Sequence, residues 1–120
     1  MPKGLDTEVA ERGANLSAGE RQFISFARIL AYNPDILILD EATSNIDPIS
    51  EAFIQDAIKN ITENRTSIII SHRLSTILNC DHILVLNKGE KVEEGTHKTL
   101  MRSQGLYSQL YKVYLKKETV

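Results

Sequence analysis

At 120 residues the chain has room for one small domain with a real core, since a chain of this size buries about two-thirds of the surface it exposes unfolded. Apolar residues make up 42% and charged residues 25%, ordinary proportions for a globular protein that argue against disordered, collagen-like and membrane-spanning classes. A formal net charge of -2 gives no basic field to draw in nucleic acid, and Cys80, the single cysteine, leaves no internal disulfide and points to a reducing compartment.

Residues 4–15 are polar, contain glycine and show little periodicity, which predicts a loop. A helix start follows at Leu16-Ser17-Ala18-Gly19-Glu20. Ser17 with Glu20 three positions on has the form of a capping box, each side chain satisfying a backbone N–H at the helix entrance. Phe23, Ala27, Leu30 and Ala31 recur at helical spacing and are expected to form the buried face. Asn33-Pro34 ends the helix, because proline cannot continue the hydrogen-bond ladder.

Ile36-Leu37-Ile38-Leu39, bounded by Asp35 and Asp40, reads as a strand of a parallel sheet buried on both faces. Asp47-Pro48 offers a helix cap and a favourable first position, with Phe53, Ile54, Ala57, Ile58 and Ile61 on the inner side. A second buried strand is expected over residues 66–70 and a short helix over 74–78. Two apolar runs then flank Asn87-Lys88-Gly89-Glu90, a hairpin turn, and helical spacing continues through Leu100, Leu106, Leu110, Val113 and Tyr114. Strand, helix and strand in this order make a βαβ unit, which predicts an α/β domain with a right-handed crossover.

Chemistry concentrates where the first strand ends. Asp40 and Glu41 are adjacent carboxylates at the C-terminal end of a parallel strand, where open α/β sheets bind their ligands. An acid there suits Mg²⁺, and its neighbour suits an attacking water at a phosphoryl group. Taken without context, such a pair is as well explained by capping or by a solvated loop. His72 after the second strand would, alone, read as structural, and Asp47 as a helix cap.

The order of these segments resembles the ABC ATPase family over nearly the whole chain. In that family a signature motif opens a helix that leads through a proline to the Walker B strand, an acidic dyad and a D-loop. Residues 16–20, Pro34, Ile36-Leu37-Ile38-Leu39-Asp40-Glu41 and Ser44-Asn45-Ile46-Asp47 fall in that order, and Ile70-Ser71-His72-Arg73 matches the H-loop. Residues 5–13 and Glu94-Gly95-Thr96-His97 look like the exporter type, in which the first of these stretches faces the membrane domain.

The resemblance implies a partial P-loop NTPase fold: a parallel sheet with flanking helices and a C-terminal β-hairpin and helices. The signature helix is expected over 16–33, Walker B and D-loop over 36–47, the H-loop strand over 66–73, and the hairpin and tail helices over 82–117. It assigns Asp40 to Mg²⁺, Glu41 to general base or water polarisation, and His72 to the γ-phosphate of ATP. Ser17, Gly19 and Glu20 would address ATP held by the opposing domain of a head-to-tail pair, and Asp47 would cross that interface. The implied partners are a second nucleotide-binding domain and an exporter's transmembrane domain, at the cytoplasmic face of the membrane.

Two positions depart from the family pattern, Ala18 for glycine and Glu20 for glutamine, and suggest a weak half-site. No Gly-x-x-x-x-Gly-Lys-Ser/Thr sequence exists in the chain. The Walker A half is thus absent, and the chain by itself is expected not to hydrolyse ATP and to expose apolar sheet surface. Two rival readings remain: the C-terminal lobe of a chromosome-maintenance or DNA-repair ATPase head, and a docking or remnant module without catalysis.

Overall fold

A computed structural model describes residues 3–40 and 48–118. These residues form two compact units, divided after Ile70.

In the first unit, helix α1 (Ala18–Tyr32) starts where the capping box places it. Ser17 Oγ accepts from the Glu20 N–H at 3.0 Å and the Glu20 carboxylate accepts from the Ser17 N–H at 3.1 Å. The helix stops at Asn33, which turns left-handed at φ 48° while its N–H still donates to Ile29. Strand β1 (Ile36–Asp40) follows, then helix α2 (Pro48–Thr62) and strand β2 (Thr66–Ile70). The strands pair in parallel, from Ile36 with Thr66 to Asp40 with Ile70, as a βαβ unit requires. Arg65 ties the two strand starts together, donating to the Pro34 carbonyl and to Asn33 Oδ1, both at 3.3 Å.

Both helices lie on one face of this sheet. Phe26 from α1 and Ile54, Ile58 and Ile61 from α2 close over Leu37 and Leu39, with Ile29, Ala57 and Ile69 packed at the margin. Three sequence expectations are corrected here. The buried side of α1 runs through Gly19 and Phe26, whereas Phe23 and Leu30 are exposed, Leu30 at 55%. Apolar residues occur on both sides of α1, so spacing alone does not single out the one that meets the sheet. The strands, expected to be buried on both faces, alternate instead: Leu37 is 5% exposed and Ile38 63%. Ile36, Ile38, Ile68 and Ile70 lie open on the second face, and no described element of this unit packs over them. Phe53 of α2, expected inside, is exposed as well.

The second unit begins with helix α3 (Leu74–Ile77) and continues into strands β3 (Ile83–Asn87) and β4 (Glu90–Gly95), an antiparallel hairpin. Its two turn residues both adopt positive φ, Lys88 at 51° and Gly89 at 79°, the left-handed pair that a tight hairpin of matching twist needs. The tail forms two helices, α4 (His97–Ser103) and α5 (Leu106–Glu118). Thr96 and Thr99 form a second capping box, and Gln104 in the left-handed region ends α4. Leu74, Ile83, Val85, Leu100 and Tyr107 make the core of this unit. Cys80 is half-buried at its edge, and burial pushes its thiol pKa up, in keeping with an unreactive side chain.

Candidate functional site

The predicted site residues fall at three places. The first is the N-terminus of α1, a helix of fifteen residues whose opening N–H groups carry the positive end of the peptide dipoles. Ser17 is the exposed N-cap. Its oxygen accepts from the Glu20 N–H, and its hydroxyl donates to the Glu20 carboxylate. The two hydrogen bonds from Ser17 hold the Glu20 carboxyl below the ordinary glutamate value, so the group is ionised and committed to the cap. Ala18, one of the two departures from the family pattern, has a negative φ, and its methyl group introduces no backbone strain.

Gly19 is buried against α2. A Cβ built there would stand 3.5 Å from both Cβ and Oγ of Ser50, an ordinary contact, so the α1 and α2 backbones approach closely at this point. Upstream, residues 8–16 are folded back by side chains. Asn15 accepts from the Ala10 N–H and donates to the Glu8 carbonyl, each at 2.8 Å. Arg21 Nη1 donates to the Leu16 carbonyl at 2.8 Å and to Gly13 at 3.2 Å. Sequence reasoning missed Asn15 and Arg21, because a side chain's reach to a loop carbonyl has no periodic signal.

The second place is the C-terminal end of β1. Asp40 is exposed and, by strand alternation, shares the open sheet face with Ile36 and Ile38. Its register partner is Ile70, so both parallel strands end at the same level. Glu41 and Asp47 lie outside the described residues.

The third place, in the second unit, is the turn before α3. The Ser71 hydroxyl accepts from the Arg73 N–H at 3.0 Å and closes a turn whose middle residue is the exposed His72. Among the described residues no group of three His, Cys, Asp or Glu side chains gathers to hold a metal ion. Nor is any described helix long and apolar enough to cross a membrane.

Known proteins similar to this chain identify its family. The ABC transporter family profile matches residues 1–44. A probable multidrug resistance ABC transporter ATP-binding/permease protein of Bacillus subtilis is 56% identical over 113 residues, covering 94% of this chain and 17% of the relative. The chain belongs to the ABC transporter family. An ATP-dependent lipid A-core flippase of Idiomarina loihiensis is also 56% identical, over 92% of this chain and 19% of its own length. A solved bacterial Atm1-family ABC exporter with ATP bound superposes with a TM-score of 0.81 at 46% identity, covering 95% of this chain and 20% of that one.

The chain therefore spans about a fifth of the length of these ABC transporter relatives and corresponds to part of an exporter ATP-binding domain. Its α/β architecture, with a parallel strand pair, flanking helices and a C-terminal hairpin, is a partial ABC ATPase fold. The chromosome-maintenance reading finds no support among these ABC exporters.

Proposed function

We propose that this chain supplies part of an ATP-hydrolysing cassette that works as a head-to-tail pair of domains and drives export across a membrane. The observation that carries the reading is Asp40, exposed at the C-terminal end of a parallel strand, the position at which open α/β sheets meet their ligands. A carboxylate there suits Mg²⁺, which when bound supplies positive charge to the phosphate oxygens. Glu41, next in the chain, takes the role of orienting or deprotonating the attacking water, and His72 that of contacting the γ-phosphate.

The α1 entrance serves a different nucleotide, the one held by the opposing domain. Ser17 contributes its hydroxyl, turned from Glu20 to the phosphate, and the first-turn N–H groups with the dipole end favour a phosphate. Gly19 lets α2 approach that end closely, Glu20 caps it, and Asp47 belongs to the segment that meets the partner. The partners are a second nucleotide-binding domain, an exporter transmembrane domain and a segment bearing the Walker A loop. The working position is the cytoplasmic face of the membrane.

In a complete ATP-binding/permease polypeptide carrying this sequence, Glu41→Gln leaves nucleotide binding intact and lowers turnover by about 10² to 10⁴. Normal turnover in that variant rejects the assignment. The bare sheet face of Ile36, Ile38, Ile68 and Ile70 also suits a docking module without catalysis. Mixing the chain with a fragment that bears a phosphate loop separates the two readings: the first expects ATPase activity to appear, the second binding without turnover.

A further inference from the structure

Arg21 stands one residue beyond the capping box, and its side chain runs back over the loop that delivers the chain to α1. One nitrogen, Nη1, donates to both the Leu16 and the Gly13 carbonyls, at 2.8 and 3.2 Å. The aliphatic stem lies on Gly13. A Cβ at that glycine would sit 3.1 Å from Arg21 Cδ and 3.2 Å from Cγ, and Gly13 holds φ at +68°. Glycine is thus required there both for its backbone and for the passage of Arg21. The turn is closed by two further bonds, from the Gly13 N–H to Ala10 at 2.7 Å and from the Leu16 N–H to Gly13 at 2.9 Å.

We propose that Arg21 is a positioning residue for the phosphate-receiving end of α1, acting through Ser17. Leu16 and Ser17 share a peptide unit, so a guanidinium that fixes the Leu16 carbonyl also fixes the orientation of the Ser17 N–H and the direction of entry into the cap. A permanently charged, planar donor suits this task, because it holds two carbonyls at once and never loses its proton. With Nη1 spent on backbone carbonyls, Arg21 prepares the phosphate site rather than forming it. The inference rests on the proposed role of Ser17.

The test uses a complete ATP-binding/permease polypeptide, such as the B. subtilis relative, with its matching stretch replaced by this sequence. ATPase kcat and KM for ATP are measured for the parent, Arg21→Ala, Arg21→Lys, Ser17→Ala and the Ser17/Arg21 double alanine variant, with thermal unfolding recorded for each. Arg21→Ala is expected to raise KM roughly tenfold, about the worth of one charge-assisted hydrogen bond, with kcat moving less. Arg21→Lys, able to reach one carbonyl, recovers part of the loss. The double variant is no worse than Ser17→Ala, because the two residues act as one unit.

If Arg21→Ala does not fold, Arg21→Met, which keeps the stem on Gly13 and removes the donor, is read in its place. An unchanged KM in the Arg21 variants beside a raised KM in Ser17→Ala overturns the positioning role alone. Additive losses in the double variant overturn it too. Unchanged kinetics in Ser17→Ala overturn the phosphate-receiving role of the α1 end, and the inference falls with it.

Discussion

At the scale of single residues, Glu20 carries the most consequence. Its carboxylate caps the Ser17 N–H, and its pKa is held down by the Ser17 backbone and hydroxyl. A group whose folded value lies below its unfolded value adds stability that is fully present above the unfolded value and fades as pH falls through the folded one. The Glu20 carboxyl, followed by carbon NMR, should titrate below the ordinary glutamate range, and Ser17→Ala should move its midpoint upward. The same charge stands beside a helix end proposed to receive a phosphate. An anion near that end weakens the attraction, so Ala18→Gly with Glu20→Gln should raise ATPase rate in a complete transporter. Glutamine preserves the capping box and Ala18 sits without strain, so Glu20→Gln alone, measured beside the pair, isolates charge. An unchanged rate would mean that the Glu20 charge does not reach the nucleotide.

At the scale of elements, the second unit is held by one acid placed between a strand and a helix. Glu93 on β4 accepts from the Tyr107 N–H at 2.8 Å and from the Ser103 hydroxyl at 3.3 Å, which caps the start of α5 from fourteen residues away. A Cβ at Gly105 would collide with Glu93 Oε1. Gly105→Ala should therefore push the carboxylate off its donors and cost about 1–3 kcal/mol, read as a lowered denaturant midpoint. Much of that loss should vanish when Glu93 is already alanine; an equal loss in both backgrounds would place the strain elsewhere. Below this cap, His97 Nδ1 lies 2.8 Å from the Tyr107 hydroxyl, and burial raises the tyrosine pKa, keeping the phenol neutral. None of these bonds was legible in the tail sequence, whose helical spacing continues from Leu100 through Leu106 and Leu110. Helix spacing reports local periodicity, while the break at Gln104 and Gly105 serves a strand that lies distant along the chain.

At the scale of the molecule, the open face of the β1–β2 pair dominates behaviour. Four isoleucines stand exposed on two strands whose outer edges carry no described partner strand, an arrangement that invites association. The 120-residue chain should self-associate at micromolar concentration in sedimentation velocity, and Ile38→Lys should shift it toward monomer. Monomeric behaviour of the parent chain would show that this face is shielded in solution. The uncovered side carries Asp40 as well, so whatever layer covers the isoleucines in a complete cassette also borders the proposed Mg²⁺ position.

The sequence by itself determined the order of elements, both ends of α1, the hairpin turn and the acid at the end of β1. Each depends on a side chain acting on backbone close to it: Ser17 and Glu20 on one helix turn, Asn33-Pro34 on the ladder, Gly89 on a positive φ. The resemblance to ABC ATPases was legible for the same reason, since its motifs are short runs in fixed order. Tertiary structure alone decided that Phe26 rather than Leu30 enters the core and that β1 is covered on one face only. It also decided that Arg21 clasps Gly13 and that Glu93 caps α5. These depend on what a residue meets across the fold, and apolar surface on two sides of a helix or strand does not encode which side finds a partner.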